Sequence, residues 1–172
     1  KPTAAIFGMG PVGSVIVTEL QKVGLFSKII CADIDLRRAK QFLFDLKDWT
    51  GIKLICVKDL RYESYLKLLK GVKLIFNSAS SLLNRFLIKL ALDLEAYYGD
   101  LASYQNFNAE QMASFENFKE ALLKALINIG IGPGLSNIIA AKLIVGLSEC
   151  FVRIFVAEQT DCDEDIFLWS PA

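Results

Sequence analysis

The chain has 172 residues, enough for one domain with a sizeable core, or for one domain followed by part of another. Nineteen basic residues balance nineteen acidic ones, so charge gives no indication of binding to nucleic acid or to an anionic membrane. Histidine is absent from the sequence, which excludes Ser-His-Asp triads, histidine general bases and histidine zinc sites; no metal site is predicted.

Neither a membrane-spanning segment nor a disulfide framework is predicted. No apolar run reaches the roughly 18 residues that a spanning helix needs, and no signal peptide is visible before the first strand-like run. The four cysteines (Cys31, Cys56, Cys150 and Cys162) show no Cys-x-x-Cys spacing, and the first two lie in apolar runs. We therefore expect a reduced, cytoplasmic protein.

Short apolar runs alternate along the chain with longer amphipathic ones. The short runs predict strands at residues 3–7, 27–34, 52–57, 72–79, 97–103, 126–130 and 151–158. The longer runs predict helices at residues 11–24, 35–49, 62–71, 81–96, 109–125 and 135–147. Almost wholly apolar strands separated by crossover helices predict an α/β fold with a doubly wound parallel sheet, the Rossmann architecture.

A glycine-rich turn separates the first predicted strand from the first helix. Its first glycine, Gly8, permits a tight turn, Gly10 lets the backbone approach a pyrophosphate at the helix N-terminus, and Gly13 allows close packing of helix on strand. Asp33 ends the second strand, where an acid can accept hydrogen bonds from the adenosine ribose. Three glycines alone are weak evidence for a nucleotide site, because they could serve close packing only. A strand, a glycine-rich turn, a helix and then an acid at the end of the next strand together predict dinucleotide binding. The turn residues predicted to contact the cofactor are Gly8, Met9, Gly10, Pro11, Val12 and Gly13.

The choice between NAD and NADP depends on the charges that follow the second strand. Asp33 and Asp35 would repel a 2′-phosphate, which favours NAD. Arg37 and Arg38 could instead contact that phosphate, although basic residues at the start of a helix are commonly solvated. We expect NAD rather than NADP.

Other strand ends at the same edge of the sheet should line the ligand crevice. Asp59 and Leu60 follow the third strand and could flank the adenine, or the aspartate could cap a helix. The small polar segment after the fourth strand suits close approach by a cofactor. The further cofactor contacts predicted from these strand ends are Ile34, Asp35, Asp59, Leu60, Asn77, Ser78, Ala79 and Ser80.

Five motifs together resemble the saccharopine dehydrogenase-like oxidoreductases, which include saccharopine reductases and lysine 6-dehydrogenases. These are GMGPVG, ADID, FNSAS, YYGDLASY and GIGPGLSN, in this order, and they cover nearly the whole chain. The resemblance implies a dinucleotide-binding domain at residues 1–148 and the beginning of a second α/β domain, for substrate binding and dimerisation, at residues 149–172. It also implies hydride transfer at a C–N bond of an amino acid such as lysine or saccharopine, and a possible homodimer.

The resemblance further implies which residues act on the substrate. Tyr104 matches a tyrosine of the family and could donate to substrate or nicotinamide ribose, or merely cover the crevice floor. Asp100 could act as an acid or base, or cap a turn. The residues implied to bind substrate are Ser103, Pro133, Gly134, Asn137 and Trp169.

One departure from the family pattern keeps other functions open. Saccharopine reductases carry an Asp-Pro-Gly segment where this chain has Gly132, Pro133 and Gly134, so one candidate proton-transfer group is missing. A dinucleotide-binding regulatory module without catalysis is therefore the alternative function. A third possibility is an assembly role, in which residues 151–156 extend a sheet between subunits.

Overall fold

The computed structural model describes residues 1–43, 48–58, 61–103, 109, 111–149 and 151–153. Six parallel strands form one sheet in the order β3-β2-β1-β4-β5-β6. The strands are β1 (Thr3–Phe7), β2 (Lys28–Asp33), β3 (Ile52–Cys56), β4 (Val72–Asn77), β5 (Tyr97–Asp100) and β6 (Ala125–Leu126). This is the strand order of the Rossmann fold, so the predicted fold class is confirmed.

Helices connect consecutive strands along the chain. They are α1 (Pro11–Val23), α2 (Leu36–Phe42), α3 (Tyr62–Leu68), α4 (Asn84–Asp93), α5 (Phe115–Glu120) and α6 (Leu135–Leu143), with a 3₁₀ turn at Ser81–Leu83. Gly24 ends α1 in the left-handed conformation, with φ of 67°. Asp35 caps α2, because its carboxylate accepts hydrogen bonds from the backbone N–H groups of Arg37 and Arg38.

Two apolar layers cover the two faces of the sheet. In β1, Ala4 and Ile6 face the layer that includes Val17 of α1, and the neighbouring Ala5 and Phe7 face the opposite layer. The first layer also contains a residue of α2, and the second contains residues of α3, α4 and α5. Burial on both faces explains why the inner strands are apolar at nearly every position.

The end of the sheet differs from the prediction. β6 has two residues instead of the predicted 126–130, because the chain turns at Asn128, which has a left-handed φ of 58°. The predicted strand at 151–158 is not present in residues 151–153, and its remainder lies outside the described residues. The proposed second domain at 149–172 likewise lies almost wholly outside them.

The last helix packs differently from the others. No residue of α6 is buried, and its apolar residues Leu135, Ile138, Ile139 and Leu143 are each at least half exposed. In the part of the chain that the structure describes, no helix combines the length and the apolar character needed to cross a bilayer.

Candidate functional site

The glycine-rich turn lies at the carboxyl end of β1, between the ends of β2 and β4. The connections leave β1 in opposite directions here, which makes this the point where dinucleotides bind in open α/β sheets. Gly8 has a φ of 88°, and its N–H donates to the carbonyl of Ala32. A Cβ on Gly8 would lie 2.6 Å from the backbone nitrogen of Ala79, so only glycine fits this position.

Gly13 brings α1 close to the end of β1. A Cβ at this position would overlap the carbonyl oxygen of Gly8 and would lie 2.8 Å from Oγ of Ser78. The Ser78 hydroxyl lies 2.9 Å from the carbonyl oxygen of Phe7 and 2.8 Å from that of Gly8, so it can donate to either. Ser78 therefore supports the turn from β4, and its predicted contact with a cofactor stays a prediction.

Gly10 differs from the other two glycines of the turn because there is space for a side chain beside it. A Cβ built on Gly10 would have no neighbouring atom within 4 Å among the described residues. Gly10 is the N-cap of α1, and among the described residues no side-chain hydrogen bond caps this end of the helix. Open space beside uncapped N–H groups at the positive end of a 13-residue helix is a suitable place for a pyrophosphate.

Asp33 connects the end of β2 to the turn. Its Oδ2 accepts a hydrogen bond of 2.6 Å from the N–H of Met9, and its Oδ1 accepts one of 2.9 Å from the N–H of Asp35. A carboxylate oxygen can accept more than one hydrogen bond, so a ribose hydroxyl could still bind here. The side chain of Met9 is buried in the core, which leaves only its backbone for a cofactor.

A surface cleft of about 380 Å³ lies between the ends of β2 and β3. Ile34, which is 69% exposed, offers an apolar surface there that an adenine could cover. Hydrogen bonds from the N–H groups of Arg38 and Arg37 hold the pKa of Asp35 below its usual value, so its carboxylate is charged at neutral pH. The cleft is lined by Ile34, Asp35, Leu36, Arg37, Cys56 and Lys58. Asp59 and Leu60, predicted beside it, lie outside the described residues.

The segment after β4 divides into an inner and an outer part. Asn77 is buried; its Nδ2 donates to Oδ1 of Asn84 and to the carbonyl of Ser80, and its Oδ1 accepts from the N–H of Ala79. Its side chain therefore shapes the turn and does not face the crevice, contrary to the predicted cofactor contact. Ala79 and Ser80 are exposed, so they remain available to a ligand.

The carboxyl of Asp100 is fully buried at the end of β5. Its Oδ2 accepts a 2.7 Å hydrogen bond from Nε2 of Gln111, and its Oδ1 accepts a 2.8 Å hydrogen bond from the N–H of Asn128. Burial raises the pKa of this carboxyl, and these hydrogen bonds oppose the rise. A group enclosed in this way does not reach a substrate, so the geometry disfavours the predicted role of Asp100 as acid or base. Tyr104, the other predicted group, lies outside the described residues.

The residues implied to bind substrate follow β5 and β6. Ser103 donates a 3.0 Å hydrogen bond to Oδ1 of Asn128, which links the two segments. Oδ1 of Asn137 accepts from the N–H of Gly134, so this side chain caps α6. Pro133 is exposed, and a Cβ on Gly134 would overlap the carbonyl oxygen of Gly130. Trp169 lies outside the described residues.

Three buried or partly buried polar residues escaped the sequence analysis. Asn84 and Gln111 are buried, at 1% and 7% exposure, and Asn128 adopts the left-handed conformation. Each one hydrogen-bonds a segment that follows β4, β5 or β6. A polar residue inside an apolar helix pattern, as with Asn84, was the available signal. Within the described ranges, no three acidic or sulfur-containing side chains are grouped to hold a metal ion.

Comparison with known proteins shows the fold and no closer relationship. No protein-family model and no curated protein sequence matches the chain. Among solved structures, saccharopine dehydrogenase (L-Glu forming) from Saccharomyces cerevisiae is similar over 84% of this chain, with 16% identity and a TM-score of 0.68. An NAD binding oxidoreductase from Klebsiella pneumoniae is similar over 85% of this chain, with 16% identity and a TM-score of 0.55. A short chain alcohol dehydrogenase from E. coli CFT073, solved with NADH, is similar over 74%, with 20% identity and a TM-score of 0.52.

The chain spans only part of each of these proteins, namely 31%, 40% and 36% of their respective lengths. At such low identity the similarity establishes a shared Rossmann fold, on which many different activities occur. The yeast neighbour agrees with the resemblance to saccharopine dehydrogenase-like proteins that the five motifs indicated from sequence.

Proposed function

We propose that this chain is the dinucleotide-binding part of an NAD(P)-dependent oxidoreductase of the saccharopine dehydrogenase-like group. The observation that carries the proposal is Gly10, where an uncapped helix N-terminus faces open space at the strand-order reversal. Gly8 and Gly13 are explained by packing alone, but Gly10 is not. A bare backbone at this place is what a pyrophosphate requires.

The two halves of the sheet would share the dinucleotide. The ends of β1, β2 and β3 would take the adenosine half, with Asp33 accepting from its ribose and Ile34 beside the adenine. The ends of β4, β5 and β6 would take the nicotinamide half. Ala79 and Ser80 are exposed on that side, close to the glycine-rich turn, and support this placement.

We propose NAD as the preferred cofactor. The carboxyl groups of Asp33 and Asp35 lie close together at the end of β2, and both would repel the 2′-phosphate of a bound NADP. Arg37 and Lys58 line the same cleft and oppose this preference. Because backbone N–H groups hold the two carboxylates in place, we expect their repulsion of a 2′-phosphate to outweigh its attraction to Arg37 and Lys58.

The proposed reaction is oxidation or reduction at a C–N bond of an amino acid such as lysine or saccharopine. A bound nicotinamide would accept or donate the hydride, and the protein would orient the two partners and exclude water. Ser103 and the segment around Gly134 would form the wall next to the substrate. We also propose a cytoplasmic location, from the cysteine pattern, and a homodimer, from the family resemblance.

A non-catalytic dinucleotide-binding regulatory module is the second candidate. It is favoured by one observation: of the described residues that follow β4, β5 and β6 directly, the only acid is Asp100, and it is buried. Gly132 also stands where saccharopine reductases have an aspartate. A regulatory module would need the same glycine-rich turn and no proton-transfer group.

Calorimetric titration of the chain with NADH, and then with NADPH, tests the shared part of both proposals. We expect binding, with NADH tighter; the absence of binding by either would contradict both. Assays of amino-acid turnover by the whole protein would separate the two. Turnover of lysine or saccharopine would support the enzyme, whereas tight NADH binding without turnover of any amino acid would support the regulatory module.

A further inference from the structure

We propose that Asp100 is a positioning residue, whose buried carboxylate ties the segment after β5 to the segment after β6 and so shapes the nicotinamide half of the site. This inference rests on the proposed dinucleotide-binding function and assigns a different role to Asp100 from acid–base chemistry. The tie would determine how well the protein holds a nicotinamide, with little effect on the adenosine half.

The two segments are joined by a ladder of hydrogen bonds beyond the short β6. The N–H of Ile129 donates to the carbonyl of Asp100, and the N–H of Gly130 donates to the carbonyl of Leu101, both at 3.0 Å. The Asp100 carboxylate adds the 2.8 Å bond from the N–H of Asn128. The hydroxyl of Ser103 also donates a hydrogen bond to Oδ1 of Asn128, which adds a further link between the two segments.

The left-handed turn at Asn128 explains why a carboxylate is needed here. With φ of 58°, Asn128 directs its N–H to the Asp100 side chain and not to a neighbouring strand. The N–H of Asn128 lies in a partly buried position, where loss of its acceptor is costly, so removal of the carboxylate should open this turn. The opening would displace Ile129 and Gly130, and with them the wall next to Gly134, which approaches Gly130 closely.

Gln111 donates the second hydrogen bond to the Asp100 carboxylate. Its Nε2 donates to the carboxylate, whereas its Oε1 is buried and has no hydrogen-bond partner among the described residues. If the side-chain amide of Gln111 rotates by 180°, its Oε1 faces the side chain at position 100 in place of its Nε2. An asparagine at position 100 could then accept from Asn128 and donate to Gln111.

Further hydrogen bonds connect the segment after β5 to the end of β4. Nδ2 of Asn84 donates a 2.9 Å hydrogen bond to the carbonyl of Ala102, and Oδ1 of Asn84 accepts from Asn77. Buried polar groups thus connect the ends of β4, β5 and β6, the three strands assigned to the nicotinamide half. No comparable buried carboxylate exists in the described part of β1, β2 or β3, where Asp33 is only partly buried.

The test compares Asp100→Asn and Asp100→Ala with the unchanged chain, and Asp93→Ala is the matched control because Asp93 is an exposed acid at the end of α4. Two ligands are titrated: ADP-ribose, which lacks the nicotinamide, and NADH. Native-state hydrogen exchange is measured at the amides of Asn128 and Ile129. Ser103→Ala, which removes the hydrogen bond to Oδ1 of Asn128, is the second variant if Asp100→Ala does not fold.

In Asp100→Ala we expect exchange at Asn128 about tenfold faster, the scale of one lost buried hydrogen bond. NADH should bind about tenfold more weakly, and ADP-ribose should bind as before. Asp100→Asn should restore both quantities, and Asp93→Ala should change neither. Ser103→Ala should weaken NADH binding more than ADP-ribose binding, by a smaller factor.

Three results would overturn the proposal. These are unchanged exchange at Asn128 in Asp100→Ala, an equal loss of ADP-ribose and NADH binding, and failure of Asp100→Asn to restore NADH binding. If Asp100→Ala does not fold, equal effects of Ser103→Ala on the two ligands would overturn it. Failure of the unchanged chain to bind ADP-ribose would instead contradict the dinucleotide-binding function, and the exchange experiment would still decide whether the tie exists.

Discussion

Replacement of Gly13 by alanine should destabilise the protein before any ligand is considered. The new Cβ would overlap the carbonyl oxygen of Gly8 and crowd Oγ of Ser78, at 2.8 Å. Overpacking in a rigid environment costs about 3 kcal/mol when the obstacle is backbone, and the better helix propensity of alanine returns about 1 kcal/mol. We therefore expect a net loss of about 2 kcal/mol in the free energy of unfolding, which corresponds to a fall of about 4–8 °C in Tm for a chain of this size.

Gly10→Ala is the matched control, because its Cβ would meet no atom within 4 Å. Glycine is a slightly better N-cap than alanine, so a loss of about 0.5 kcal/mol is expected. Urea unfolding followed by circular dichroism measures both variants, with the unchanged chain as reference. Equal losses for Gly10→Ala and Gly13→Ala, or no loss for Gly13→Ala, would refute the reasoning on how α1 packs on β1.

Three further predictions concern single side chains. Asp33→Ala should reduce the preference for NADH over NADPH by about tenfold, since one fixed negative charge is lost beside the 2′-position; an unaltered ratio of the two dissociation constants would exclude Asp33 as the ribose ligand. Burial raises the pKa of Asp100, so the stability linked to its protonation is complete below the unfolded pKa of about 3.9 and falls as pH rises through the folded value. Urea unfolding should therefore show Asp100→Asn gaining stability relative to the unchanged chain as pH rises above about 4, and a constant difference would argue against a raised pKa. Burial also raises the pKa of Cys31 to about 12, whereas Cys56 is exposed. In a chain with Cys150→Ser and Cys162→Ser, a thiol reagent should therefore label Cys56 and not Cys31 while the protein is folded. Rapid labelling of both cysteines would contradict the described packing.

Features encoded in consecutive residues could be predicted from the sequence. The turn from Gly8 to Gly13 and the apolar strands depend on local conformation and on burial of both sheet faces. The structure confirms the fold for that reason. Asp33 was placed correctly at the end of β2, but its hydrogen bond to Met9, 24 residues earlier, was not foreseen.

Features that depend on distant partners could not be predicted. Asp100 resembles an exposed acid at a strand end, and only the positions of Gln111 and Asn128, 11 and 28 residues later, show that it is enclosed. Asn77 is likewise a buried structural residue, because its side chain donates a hydrogen bond to that of Asn84. In both cases the fold supplies hydrogen-bond partners that no local pattern reveals.

Calorimetric titration of NADH into the unchanged chain and into Gly10→Val tests the central claim most directly. The valine side chain would occupy the open space at the N-terminus of α1, so the account predicts a folded variant with NADH affinity reduced by at least about tenfold, beside clear binding by the unchanged chain. Equal affinity in the two proteins would show that the pyrophosphate does not lie at this turn. Absence of NADH binding by the unchanged chain would contradict the assignment of the glycine-rich turn as a dinucleotide site.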